Sequence, residues 1–248
     1  MLVGSQVAGL AVAIVVVAVA GASPQAGIRI VYGVLGGLAG SIGLAFFYRG
    51  LATAAMGIVA PIAATAVFVP LVVGLAHGER PAAMQDAGIA LALLGVVLVS
   101  REPGREPSRR VAGGVGLALV AAGCFGCALV GLSAASKSGA LWGGLSFRIG
   151  GATPILLAAL VLGRRAGAMP SGRNLTWIAF IGVTDVVASF LYAGATTRGL
   201  LSVVAVVASL YPVLVVGLAR TVLHERLARP QLAGAAAALT GIALISAG

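Results

Sequence analysis

Asp185 lies at the centre of an apolar stretch, FIGVTDVVASFLYAGATTRG. An ionisable group so deep in apolar surroundings is costly and is a functional candidate by default. Such a carboxylate can neutralise a buried cation, contact a polar solute, or take up a proton. Arg148, about two helical turns into another apolar stretch, is the matching cation. A buried Asp–Arg pair would cancel both charges, and this structural role stands beside the functional one. Ser189 follows Asp185 by one helical turn and Tyr192 lies seven residues on, so the three share a helix face. Together they give the polar stripe expected of a cavity wall; Ser189 bonded to its own backbone is the plainer alternative. Ser209 and Tyr211, beside the Tyr211-Pro212 break, complete the candidate solute contacts.

Prolines within apolar stretches matter because each removes a helical hydrogen bond and frees a carbonyl. Pro61 and Pro70 interrupt 53–76, and Pro212 interrupts 199–222. Pro61 and Pro212 are the candidate hinges, a tolerated kink being the alternative; Pro154 reads as a plain kink. Glu79-Arg80 and Glu225-Arg226 sit at the ends of apolar stretches. The expected role of Glu79 and Glu225 is structural, a carboxylate near the positive end of the helix that follows. A gating contact is the alternative. His77 and His224 have no ligands of other types beside them, so no metal site is expected. Cys124 and Cys127 form a lone CxxC inside GLALVAAGCFGCALVG, read as small residues packing on one helix face. There is no phosphate-binding G-x-x-x-x-G-K-[ST] loop, no H-E-x-x-H and no G-x-S-x-G. Neither a cofactor, an enzyme activity nor ATP hydrolysis by this chain is therefore expected.

The elements that must hold these residues are apolar throughout. The chain has 248 residues, 60% of them hydrophobic and 9% charged, with a mean hydropathy of +1.12. That leaves too little polar surface to cover a soluble domain. Nine stretches approach the length of a bilayer crossing: 4–22, 28–48, 53–76, 82–100, 112–133, 140–163, 174–197, 199–222 and 230–247. In lipid their backbone groups must be satisfied locally, so they are expected to be helices. Gly33/Gly37 and Gly36/Gly40 have the GxxxG spacing of close helix contacts, a weak signal in a chain with 37 glycines. The net charge of +10 sits in short loops, where it sets topology and meets lipid head groups; nucleic acid is not an expected partner. Loops after the second, fourth, sixth and eighth stretches carry eleven Lys/Arg, against four (Arg29, Arg80, Lys137, Arg198) on the other side. The residue-100 loop is thus expected in the cytoplasm and the C-terminus outside.

Glu79, Gly88, Gly95 and Ser100 recur as Glu225, Gly234, Gly241 and Ser246, all at an offset of 146 residues. The two copies close alike, on LLGVVLVS and LTGIALIS, and Arg49-Gly50 upstream matches Arg198-Gly199. Duplication gives a membrane protein two related halves that can rock about a shared midplane site. The halves are 1–100 and 112–248, joined by the basic loop 101–111. Aligning them sets Gln6 opposite Arg148, which places the counterpart of 112–133 about 30 residues before Met1. The expectation is an all-α polytopic membrane protein, an inverted repeat of five-helix bundles with nine helices present and the first of ten missing. A helix encoded upstream of Met1 is favoured over a lost one. A cleaved signal peptide at 1–22 is disfavoured because no basic segment precedes it.

The segment GLLSVVAVVASLYPVLVVGLARTVLHERLARPQLAGAAAALTGIALIS resembles the closing motif of EamA-type carriers of the drug/metabolite transporter superfamily. GLATAAMGIVAP…HGERPAAMQDAGIALALLGVVLVS resembles its first-half partner, and Arg148 with IGGAT is similar to the family's second-helix arginine. Gln6 departs from that pattern in the first half. The resemblance covers nearly the whole chain. It implies ten helices in two inverted repeats around a cavity walled by the first, third and fourth helices of each half. It thereby makes 140–163 peripheral and Arg148 more structural than ligand-binding. It also implies cytoplasmic termini, against the charge count. The expected function is secondary active transport of a small metabolite or drug-like solute across the cytoplasmic membrane by alternating access. Proton coupling and a homodimer are both compatible with that reading. The alternatives are a non-transporting membrane protein, either an assembly partner or a lipid-processing enzyme, and an inactive truncated carrier.

Overall fold

The computed structural model describes residues 2–22, 27–53, 56–99, 111–161, 173–210 and 229–247. Among these residues every regular element is helical: α1 (Leu2–Val19), α2 (Ile28–Thr53), α3 (Met56–Ala64), a 3₁₀ turn (Thr65–Val67), α4 (Phe68–Ala76) and α5 (Ala83–Val99). There follow α6 (Val111–Ser136), α7 (Ala140–Val161), α8 (Arg173–Thr196), α9 (Leu201–Ala208) and α10 (Arg229–Ala247). Within α2, α6, α7 and α8, the segments Ile28–Thr53, Gly113–Ser136, Ala140–Val161 and Leu175–Thr196 are long and apolar enough to cross a membrane. Their outward faces carry large apolar side chains such as Leu157, Phe180 and Leu191, as a lipid-facing surface requires.

Two compact units result, Met1–Ile42 with Cys127–Gly199, and Gly43–Gly126 with Leu200–Gly248. Each draws on both sequence halves, and the boundaries fall inside α2 and α6.

In the first unit glycines let backbones meet. A Cβ on Gly37 would lie 1.9 Å from the Phe147 carbonyl oxygen, and one on Gly150 would lie 2.0 Å from that of Val34, so α2 and α7 touch main chain to main chain. Gly33 faces Ser146 of α7, whereas Gly36 faces Gly131 and Ala128 of α6. The two overlapping GxxxG pairs thus serve two different neighbours. Helix α1 crosses α8 at Gly9 and Gly182, each against the other's backbone. Ala13, Val17, Leu145 and Val186 fill the space between α1, α7 and α8.

In the second unit α5 and α10 pack as an antiparallel pair. Gly88 lies against the Gly241 carbonyl and Ile245, while Gly95 lies against Gly234 and Ala238. These are the repeated glycines. The contact of Gly88 with Gly241 becomes that of Gly234 with Gly95 when the 146-residue offset is applied. The helix pair therefore has an approximate twofold axis across it, near Ala92 and Ala238, both fully buried. An axis perpendicular to two antiparallel spans is the local signature of an inverted repeat. Ala64, Val67, Ile89, Ala205, Val206 and Leu210 extend this core to α3, the 3₁₀ turn and α9.

The span expected at 53–76 is broken in two. Its 3₁₀ turn ends at Val67, three residues before Pro70, which itself follows Ala66 by four. The ring of Pro70 excludes the carbonyl of Ala66 from a regular helical bond, and the turn tightens there. Pro61 lies inside α3, upstream of this break. The Ala66 carbonyl accepts a backbone N–H of the turn instead. Gly126 of α6 lies against this segment, where a Cβ would meet Val69 and come within 2.7 Å of that carbonyl. Cys124, two residues earlier on α6, packs with Phe125 against Gly43 of α2.

Candidate functional site

Arg148 projects from the buried side of α7, flanked along the helix by Leu145 and Ala152. Gly144, one turn before it, has no side chain to hold the next helix away: a Cβ there would sit 2.1 Å from the ring of Phe190. This close approach of α7 and α8 brings Arg148 to Asp185, the thirteenth of the 24 residues of α8.

The guanidinium divides its donors. Nη1 bonds and ion-pairs with Asp185 Oδ2, and Nη2 donates to Ser189 Oγ at 2.8 Å. Ser189 in turn donates to the Asp185 main-chain oxygen at 2.8 Å, so its hydroxyl serves both its own helix and the arginine. Arg148 Nε is buried with no hydrogen-bond partner among the described residues. The pair is unequally placed. The Arg148 side chain is 6% exposed, that of Asp185 is 55% exposed. The arginine is thus an interior anchor, and the carboxylate it holds presents one flank outward. Such an arrangement can hold a net-neutral pair in an apolar environment while leaving a carboxylate oxygen for a donor or cation.

Other candidate residues lie differently. Tyr192 shares the helix face of Asp185, yet it is buried at 8% exposure and adds no open surface to the stripe. Ser209 caps the end of α9 in the second unit and donates to the Val206 carbonyl at 2.7 Å. Tyr211, Pro212, Glu225 and His224 lie outside the described residues. Among the described residues no group of three His, Cys, Asp or Glu side chains has metal-binding geometry.

Glu79 forms a second polar centre. Helix α4 ends in a turn whose left-handed residue is Gly78, with φ of +87°. Gly78 N–H donates to the Leu75 carbonyl at 3.0 Å and Glu79 N–H to the Gly74 carbonyl at 3.1 Å, the paired bonds of a Schellman cap. The cap fixes Glu79 just past the helix end. Its carboxylate accepts the Leu201 N–H at 2.7 Å and the Ser202 N–H at 2.9 Å, the first amides of α9. Gly74 makes the room: a Cβ there would lie 2.3 Å from Glu79 Oε2. The carboxylate therefore serves α9 rather than α5, the next helix in the chain. At α5 the amide of Ala82 is taken up by the Gln85 side chain at 3.0 Å. The available sequence signal was Leu200, an apolar residue at the N-cap of α9 that offers the helix no acceptor.

The model of the EamA-like transporter family matches residues 112–247. Among solved structures 16 chains match. One is a crystal structure with a TM-score of 0.83 at 18% identity, covering 98% of this chain and 86% of its own, a likeness of fold alone. No curated protein matches the sequence.

Proposed function

The chain belongs to the EamA-like transporter family, and from that premise we propose a secondary carrier that moves a small polar or amphipathic metabolite by alternating access. Membership makes it a multi-pass membrane transporter of the drug/metabolite type in general; solute, mechanism and the cytoplasmic membrane as its site belong to the proposal. The observation that carries it is the half-open carboxylate of Asp185, held in mid-helix by a buried arginine. A carboxylate at that depth is expensive to leave facing lipid. Facing a solute path, it accepts a donor or cationic group of the passing molecule, and Ser189 keeps Arg148 aligned behind it. Arg148 is an anchor in this reading and touches no solute. Asp185 is also the group to carry a coupling proton.

The test is transport by the purified chain in sealed phospholipid vesicles. Labelled amino acids, nucleosides and quaternary-ammonium dyes are presented with and without a proton gradient. At least one should exchange across the membrane faster than in protein-free vesicles, and preloading with the same unlabelled compound should accelerate its entry. Diffusive, non-saturable entry for all of them would point away from a carrier of these classes.

A further inference from the structure

Three features of the Glu79 centre combine. First, the start of α9 has no acceptor of its own, since Leu200 caps it, and both of its leading amides bond to a side chain 122 and 123 residues away. A helix whose only need was stability would be served by a local Ser or Asp. Here the cap exists only while the ends of α4 and α9 are together. Secondly, the two helices it joins are short, nine and eight residues, and α4 is set off by the 3₁₀ turn before Pro70. The neighbouring α5 and α10 are 17 and 19 residues long and meet through their backbones. Among the described residues, the joined pair consists of short helices held by a side-chain cap, where α5 and α10 have backbone contact. Thirdly, Ser202 Oγ is buried in the clasp with no hydrogen-bond partner among the described residues. No described residue satisfies that hydroxyl while the clasp is shut, and entry of water would satisfy it.

We propose that the Glu79 carboxylate is a latch: it bonds the Leu201 and Ser202 amides when this end of α4 and α9 is shut, and lets them go when the carrier opens there. The inference rests on the alternating-access reading above. Arg80 and Arg198, which flank the clasp in sequence, both belong to the sparsely basic side, so by charge the latch closes the external face. Gly74 is part of the device, because only glycine lets the carboxylate lie against α4.

The experiment reads opening directly and needs no solute. In a chain with Cys124 and Cys127 replaced by alanine, Ser202→Cys puts a buried thiol inside the clasp. A membrane-impermeant maleimide is then added to either face of sealed vesicles. With Glu79 present the thiol should react slowly. Glu79→Gln, and independently Gly74→Ala, which expels the carboxylate without removing it, should each raise the rate about tenfold from one face. That factor corresponds to the loss of one charge-assisted hydrogen bond. Leu200→Asp is then added to Glu79→Gln, giving α9 a local carboxylate but no tie to α4. It should restore the melting temperature and leave labelling fast. If it restores slow labelling as well, or if neither single change accelerates labelling, Glu79 is a static helix cap and the latch is refuted. Should Glu79→Gln fail to fold, Glu79→Asp, which withdraws the carboxylate by one methylene, takes its place. A wild-type chain that moves no solute would count against the carrier reading, while the labelling result would stand by itself.

Discussion

Because Arg148 is buried and Asp185 is half open, the two ends of their ion pair should respond differently to substitution. Asp185→Asn keeps size and one acceptor oxygen but leaves the guanidinium without a counter-charge. A loss of about 1.5–3 kcal/mol is expected, the value of a hydrogen bond to a charged group, towards the low end because the carboxylate is partly exposed. The melting temperature in detergent should fall accordingly. Adding Arg148→Gln removes the stranded charge, and most of that stability should return. Transport of whichever solute the wild type moves should stay lost in the double variant, since the carboxylate is still absent. Full recovery of transport in the double variant would make Asp185 a purely structural partner. The ion pair could be read from the chain alone, as two ionisable residues in mid-span with few others to meet. The burial of Tyr192 could not. Its spacing from Asp185 defines a common helix face, but which turn of that face a neighbouring helix covers is decided by packing partners far away in sequence.

At the scale of helices the glycines sort into those that separate nothing and those that prevent collision. Gly88, Gly95 and Gly241 each lie so near a facing backbone that a Cβ would approach main-chain atoms to 2.7 Å or less. A backbone cannot swing aside as a side chain does, so alanine at any of the three must push α5 and α10 apart. Each change should cost about 1–3 kcal/mol, the usual penalty of overpacking. A Cβ added at Gly113, Gly116 or Gly123 of α6 would meet nothing within 4 Å, and alanine there should leave the melting temperature unchanged or slightly raised. Thermal unfolding of the six single variants in one detergent checks the contrast, and equal losses in both sets would refute it. From sequence these glycines looked alike. The repeat marked out the 146-residue partners, whereas GxxxG spacing alone did not say which helix each glycine faces. The helix break in 53–76 was similarly half legible: two prolines announced a break, and the bond that Pro70 denies the Ala66 carbonyl puts it at Thr65–Val67 rather than at Pro61.

For the molecule as a whole, the antiparallel run of α5 and α10 sets their C-terminal ends, Val99 and Ala247, at opposite ends of the helix pair, as expected of two inverted repeats. The eleven-to-four distribution of Lys/Arg then chooses between the two orientations. A C-terminal fusion to a reporter active only outside the cytoplasm should give signal. Signal from a cytoplasm-only reporter at that end would reverse the assignment and favour the cytoplasmic termini of the resembling carriers. The long apolar helices α2, α6, α7 and α8 and the matching glycines of α5 and α10 were plain in the chain because hydropathy and spacing are local properties. Residues 211–222 of the expected span 199–222 lie outside the described residues. The partner of Glu79 was not, because a helix start can borrow its acceptor from any segment the fold brings near. The mirrored glycines of α5 and α10 also bear on how the protein is made. Their positions differ by 146 residues, so at roughly 5–20 residues per second α10 leaves the ribosome roughly 7–30 s after α5. Throughout that interval the groove of α5 must be lined by lipid tails or by a helper in the membrane, and α10 has to displace that temporary cover before the pair can close.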